Sequence, residues 1–212
     1  MTKGVHSNWA DQHGKLLKER FTAVSASDLL ARPSRIIDTV GVYAILIRDA
    51  DMILGRLGYD QKLDGALWNV SGYGHVYTGE SVGVCSRLLE HLIGSSRDST
   101  FRESLIAIQR ATGAIWNASQ PRYYGHTDEQ NLSDWLAENA LVAFKHCNLV
   151  GEVERDLLKR APCPLNIKDR PGTPFTGLLS DARRTHGLPR KTREPLNMPR
   201  APREKPYLLH AW

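Results

Sequence analysis

Six residues scattered along the chain carry the functional groups needed to break a phosphodiester bond: Tyr43, Tyr77, Arg87, His91, Glu154 and Asn166. Hydrolysis at phosphorus needs something to orient and deprotonate water, charge to neutralise the transition state, and stabilisation of the departing 3′-oxygen. Arg87 offers a planar fork of donors that suits a phosphate, and it cannot lose its charge. Glu154 is the one carboxylate of the set. A single carboxylate completed by water and substrate phosphate is a common way to hold Mg²⁺, so a single site for Mg²⁺ or Mn²⁺ is expected. His91 follows Arg87 by four residues, which places both on one face of a helix and lets His91 assist proton transfer.

The elements that must position these groups can be read from the pattern of apolar residues. Val40–Ile47 and His75–Gly79 are apolar, β-branched runs that predict strands carrying Tyr43 and Tyr77. Residues 81–92 predict the helix of Arg87 and His91, and residues 151–160, ending before Pro162, predict the helix of Glu154. Leu141–Phe144 predicts a third strand. Upstream, Leu16, Leu17, Phe21 and Val24 have helical spacing over residues 11–24, and Ser27 can cap a second short helix ending near Pro33. Residues 49–73, rich in Gly and Asp, read as a long excursion with room for a short strand. Thr100-Phe101-Arg102-Glu103 reads as a capping box that opens a helix through Leu105, Ile106 and Ile108, stopped by Gly113. Residues 116–131 read as loop, and residues 133–139 as a further helix.

Gly41-Val42-Tyr43 and Tyr77-Thr78-Gly79 resemble the two motifs of the GIY-YIG nuclease superfamily. As in that family, an arginine follows the second motif's tyrosine by ten residues, and a histidine stands one turn later, as in some members. Glu154 with Leu157 and Leu158, followed by Pro162-Cys163-Pro164-Leu165-Asn166, resembles the family's metal-binding glutamate and the proline and asparagine that close its core. Val42 and Thr78 stand where the family has isoleucines, and Glu80 stands where many members carry an amide or a lysine. The resemblance implies an α+β fold, a small antiparallel three-stranded sheet flanked by helices. It also implies Tyr43 as general base, Tyr77 positioning phosphate or water, and Asn166 bracing the site. A free phenol titrates near 10, so neighbouring cations must favour the Tyr43 phenolate. A carboxylate at position 80 would repel phosphate if it pointed inward.

The expected organisation is a helical N-terminal extension (1–39), a GIY-YIG-like domain (40–170) with a helical insertion near 95–139, and a basic, Pro-rich tail (171–212). At 212 residues and 41% hydrophobic content, one domain with ample core is expected. No run approaches the length of a membrane span and residues 1–18 lack a signal peptide's apolar stretch, so a cytoplasmic protein without membrane attachment is expected. Cys85, Cys147 and Cys163 show no CxxC spacing, which fits reduced thiols. Of the net charge of +5, residues 168–212 carry +6, ten Lys or Arg against four Asp or Glu, leaving −1 for the remainder. That stretch also holds Pro189, Pro195, Pro199, Pro202 and Pro206. Arg183, Arg184, Arg190, Lys191 and Arg193 could therefore follow a phosphate backbone, with salt-sensitive affinity; the competing reading is a solvated tail.

Other groupings are weaker. Cys85 with His91, or Cys163 with a distant histidine, lacks a third orienting group for nucleophilic catalysis. His75, His126 and His146 match no zinc spacing. Trp116, Tyr123 and Tyr124 suit base stacking or packing equally well. The resulting expectation is a metal-dependent DNA endonuclease, restriction-type by size, for which double-strand cutting would favour a homo-oligomer or sequential nicking. RNA stays open as a substrate. The alternatives are a non-catalytic nucleic-acid-binding module with the same fold and an RNA-directed or toxin-like nuclease.

Overall fold

The computed structural model describes residues 21–120, 123, 125–169 and 172–187. Its centre is β2 (Gly41–Arg48), with no charged residue until Arg48 and every position before that buried. Such a run belongs in the middle of a sheet covered on both faces. β4 (Tyr73–Ser81) and β5 (Ala140–His146) flank β2 antiparallel, which gives the three expected strands. Two short strands extend them, so the sheet has five strands rather than three, in the order β1-β5-β2-β4-β3. β1 (Thr22–Ser25) pairs with β5, and β3 (Asn69–Val70) pairs with the start of β4.

β1 lies where helical spacing predicted a helix. The structure shows why period two wins there: Phe21 and Ala23 pack on one sheet face with Ala44, Leu46 and Ala143, while Val24 packs on the other. Residues 11–20 of that expected helix lie outside the described residues. α1 (Ala26–Ala31) follows, capped by Ser25 rather than Ser27, because the Ser25 hydroxyl accepts the Asp28 N–H. The excursion after β2 holds two short helices, α2 (Ala50–Gly55) and α3 (Gln61–Asp64), before β3.

Between Ile45 and Leu46 the β2–β4 register shifts, so that Ile45 faces Tyr77, Leu46 faces His75, and Val76 has no partner. This bulge turns both Val76 and Tyr77 into the main core. Two residues on, Tyr43 stands directly opposite Gly79. A Cβ at position 79 would run into the Tyr43 ring and hydroxyl, so only glycine leaves room for that side chain to lie across β4.

α4 (Val84–Ile93) lies on the main face, burying Val84, Leu88, His91 and Leu92. The inserted helices α5 (Thr100–Thr112) and α6 (Asp128–Asn139) are not a peripheral decoration. Phe101, Leu105, Ile106, Ile108, Leu132 and Leu136 belong to the same core cluster as Tyr43 and Tyr77. α5 is capped by Ser99, whose hydroxyl accepts the Arg102 N–H, and closes on Gly113 at φ 66°. α6 starts five residues earlier than its apolar pattern predicts, because Thr127 and Gln130 form a capping box.

α7 (Val150–Arg160) packs on β4 and β2. Beyond it the chain seals the outer edge of β4, which β3 covers only at its start. The Leu165 N–H donates to the Val76 carbonyl at 3.0 Å. Asn166 then acts as one rung of a strand: its Oδ1 accepts from Thr78 N at 2.9 Å and its Nδ2 donates to Thr78 O at 2.7 Å. α8 (Pro174–His186) opens the segment expected to be a basic tail. Its Phe175 and Leu179 are fully buried, and Arg183 pairs with Glu103 of α5. Burying each such side chain contributes about 1.5–3 kcal/mol, whereas the largely buried Arg183–Glu103 pair must first offset the desolvation of both charges, so the apolar face holds α8 in place. Among the described residues no helix is long and apolar enough to cross a membrane.

Two substitutions test these constraints. Asn166→Ala leaves a buried donor and acceptor without partners and should cost about 2–4 kcal/mol in urea unfolding, with Asn166→Asp intermediate because it keeps one acceptor. Gly79→Ala should push Tyr43 out of place. A wild-type melting temperature together with an unchanged Tyr43 environment in this variant would show that the contact is not a constraint.

Candidate active site

The β2–β4 pair, α4 and α7 bring together the residues that were scattered in sequence. The Tyr43 hydroxyl lies 2.7 Å from His91 Nε2. The His91 ring is also packed against Tyr77, with centroids 5.2 Å apart, and Tyr43 and Tyr77 lie 6.4 Å apart. Phe101 of the insertion closes over both Tyr77 and His91, at 5.5 and 5.7 Å. Tyr43 and His91 are essentially inaccessible to solvent, and Tyr77 is nearly so.

Arg87 sits one turn before His91 on the rim, with its side chain 29% exposed. Its guanidinium donates to Glu90 at 2.5 Å and to the Asp98 carbonyl at 3.3 Å. It also approaches the Tyr43 hydroxyl closely enough to stabilise the phenolate. Burial opposes that effect and dominates it, with Tyr77 and Glu154 acting in the same direction as burial, so the Tyr43 phenol is held well above its ordinary value. The expectation that neighbouring cations outweigh the phenol's reluctance to ionise does not hold in the free protein. His91 is pushed down to about 3 by burial first and then by Arg87 and Arg102, and stands neutral.

Glu154 occupies the outer edge of β4. Its neighbours on α7 have other surroundings: Glu152 is exposed and Asp156 pairs with Arg160 at 2.8 Å. Glu154 alone turns toward the strand, where the Glu80 N–H donates to its carboxylate. Partial burial, followed by the charges of Glu80 and Asp169, pushes Glu154 up to about 7. Glu80 therefore does lie near the site, but on an exposed rim beside α7 rather than against the Tyr43–His91 pair. Asn166 stands behind Tyr77 as a brace on the Thr78 backbone.

Two contributors escaped the sequence reading. Arg102 is fully buried and spends its guanidinium on Glu129 (2.8 Å), Ser133 (3.1 Å) and the carbonyls of Leu92 (2.6 Å) and His91 (3.4 Å). It thereby caps the end of α4, the helix that carries His91. The available signal was that Arg102 falls on the stripe 102, 105, 106 and 109, all buried. Ser99 lies 2.7 Å from His91 Nδ1, and nothing local in its sequence announces that contact.

The remaining candidates disperse. His75 is buried behind β4, 2.8 Å from Thr78 Oγ1 and 3.7 Å from Cys163 Sγ, and burial pushes it down to about 4. Tyr123 and Trp116 pack against each other within the core cluster, and Tyr124 lies outside the described residues. Cys85 is buried with its thiol donating to the Pro33 carbonyl at 3.4 Å. His146 bonds Thr39 at 2.9 Å and His126 faces Asp134 at 3.9 Å. Arg183 is tied to Glu103, while Arg184, 78% exposed and paired with Asp181, points outward from α8. Arg190, Lys191 and Arg193 lie outside the described residues.

Among the described residues no three His, Cys, Asp or Glu side chains converge on one point. What the site offers a cation is one crowded, half-buried carboxylate whose like-charged neighbours would be relieved by positive charge. That donor chemistry fits a hard divalent ion with water and substrate completing its shell. No curated protein and no solved structure matches the chain. A family model described as the GIY-YIG catalytic domain matches residues 41–185, from the first residue of β2 to the last turn of α8. With Tyr43, Tyr77, Arg87, His91, Glu154 and Asn166 all inside that match, the chain belongs to the GIY-YIG catalytic-domain family, whose members are nucleases.

Proposed function

We propose that this chain is a metal-dependent DNA endonuclease of restriction type that hydrolyses phosphodiester bonds at the Tyr43–Glu154 site. The observation that carries this reading is the 2.7 Å Tyr43–His91 bond, buried beside an accessible Arg87 and the half-buried Glu154. Arg87 binds the scissile phosphate through its rim-facing guanidinium, where its fixed charge acts most strongly on the transition state. Tyr43 Oη receives the proton of the attacking water, and Arg87 is the charge on this chain that favours the phenolate it needs to be. Tyr77 holds the Tyr43–His91 pair from the side. Glu154 would hold a Mg²⁺ or Mn²⁺ ion, which when bound supplies charge stabilisation at the phosphate and the leaving 3′-oxygen. Arg184 and the basic residues after 187 would add salt-sensitive affinity for the DNA backbone.

Supercoiled plasmid with Mg²⁺ is the direct test, read as nicked, linear or fragmented DNA beside matched RNA. Discrete products lost in EDTA support the proposal. A shifted but uncut plasmid identifies a binding module, and cleavage of RNA alone identifies an RNA-directed nuclease. Tyr43→Phe should lower kcat by about 10²- to 10⁴-fold, as expected for a lost proton acceptor. Arg87→Lys should lower it by about 10²- to 10³-fold, since a point charge replaces the fork.

Glu154 gives a pH signature. Its carboxyl titrates near 7 in the fold against 4.5 unfolded, so the native state binds the extra proton between those values. Stability of the metal-free protein is therefore greatest below that window and falls as pH rises through it. Glu154→Gln removes this loss, and the variant should gain on wild type in melting temperature between about pH 5 and pH 8. The comparison isolates Glu154 from His75 and His91, whose depressed values act in the opposite sense and remain in both proteins. In wild type the Mg²⁺ concentration for half-maximal cleavage should rise about tenfold for each pH unit below about 7.

A further inference from the structure

The loop that leads from α4 into the insertion, residues 94–99, doubles back along its own helix. The Asp98 carbonyl accepts from Arg87 Nη1 at 3.3 Å, across eleven positions of the chain. Three further bonds hold the loop's shape. The Ser96 N–H donates to Glu129 at 2.8 Å, the Arg97 N–H to Ser95 Oγ at 3.2 Å, and the Asp98 N–H to the Ser95 carbonyl at 3.1 Å. Ser96 is buried and tied to α6, and Ser99 caps α5, so both ends of the turn are anchored and residues 97 and 98 form its exposed tip.

Arg97 is therefore a cation on a fixed backbone. Among the described arginines of the insertion, Arg102 is spent on Glu129 at 2.8 Å and Arg110 on Asp128 at 2.6 Å, whereas the Arg97 side chain has no ion pair and no hydrogen bond. Of the two carboxylates at this rim, Glu90 is taken by Arg87 and Asp98 forms no ion pair. A solvated arginine is the ordinary outcome at a loop tip, but this tip is bonded through Asp98 to the guanidinium that the nuclease reading assigns to the scissile phosphate. Nucleic acid carries its phosphates in series, so a strand whose scissile phosphate lies on Arg87 continues past it. Arg87 reaches the Tyr43 hydroxyl while Arg97 touches no side chain, so one cation serves the reacting centre and the other stands beside it.

We propose that Arg97 is a substrate-binding residue that holds a second phosphate of the cleaved strand, next to the one on Arg87, with the loop of residues 94–99 as the fixed spacer between them. Its guanidinium adds sequence-independent, salt-sensitive affinity and sets the register of the strand over Tyr43 and Glu154. The anchoring of the loop matters to this role, because a cation on a braced backbone loses less freedom when it meets its phosphate. The insertion thus supplies part of the binding track as well as part of the core.

This inference rests on the nuclease reading for which strand is held, and its test is read without cleavage. The full chain in EDTA is titrated with a labelled DNA duplex, beside the matched RNA, over a series of salt concentrations. Each phosphate neutralised contributes about 0.9 to the slope of log K against log salt on duplex DNA. Arg97→Ala should lower that slope by about one and weaken binding about 5- to 20-fold. Arg97→Lys keeps the charge and should keep the slope. Arg87→Ala should also lower the slope by about one, and the double variant by about two, since the two residues hold different phosphates. Arg56, exposed and unpaired just beyond α2 at the other end of β2, is the control, and Arg56→Ala should leave the slope unchanged. With plasmid and Mg²⁺, Arg97→Ala should raise KM more than it lowers kcat. An unchanged slope in Arg97→Ala, an equal loss in Arg56→Ala, a double variant that loses no more than either single one, or a wild type that binds neither nucleic acid overturns the proposal. The expected slopes in a protein that cuts no nucleic acid would leave Arg97's role standing and remove the nuclease reading instead.

Discussion

The passage of the Tyr43 side chain across the backbone of Gly79 governs the arrangement of everything around it. Because Gly79 has no side chain, a phenol from the central strand can lie over β4 instead of standing upright in the core. From there its hydroxyl meets the one polar side of α4, the row of Arg87 and His91. The same displacement brings it within electrostatic range of Glu154 at the far edge of β4. A residue of any size at 79 would separate the phenol from one partner or the other. The second motif is therefore best understood as a clearance cut for the first.

Around that contact the protein builds two kinds of support. On one side the edge of β4 is finished by side-chain and loop hydrogen bonds, with Leu165 at Val76, Asn166 at Thr78 and Glu154 at Glu80, alternate residues on the strand. Their period of two is the ladder a further strand would have made. On the other side the end of α4 is held by Arg102, a charged residue whose burial is tolerable because its guanidinium is paired or bonded along its whole fork. The second support comes from a segment that looks accessory in sequence, the insertion near 95–139.

The central strands, the Arg87 helix and the Glu154 helix were legible because each depends on a local pattern: continuous apolar runs for buried strands, and i, i+4 spacing for a shared helix face. The five-strand count was not, because β1 and β3 are four and two residues long and owe their existence to the neighbours they pair with. Helical spacing at Leu16, Leu17, Phe21 and Val24 misled at its C-terminal end, where tertiary contact on both sheet faces overrides local periodicity. The six candidate residues were picked out by their order and spacing, and all six fall within the matched family region. Ser99 and Arg102 were not, since their importance lies in what they touch across loops. The basic composition after residue 168 concealed Phe175 and Leu179, two residues enough to make a core helix of the first part of a tail.

The order in which the chain supplies these parts also sets when the site can form. Tyr43, Tyr77, Arg87 and His91 emerge early during synthesis, and the sheet is not complete until β5 arrives at residues 140–146. Glu154, the edge-sealing Asn166 and the α8 face that closes over α5 come last. A growing chain therefore holds Tyr43, Tyr77, Arg87 and His91 well before it holds Glu154 and the brace behind Tyr77. The candidate site residues come together only once the chain has been made from β2 to the turn after α7, so the site is a product of nearly the whole described fold.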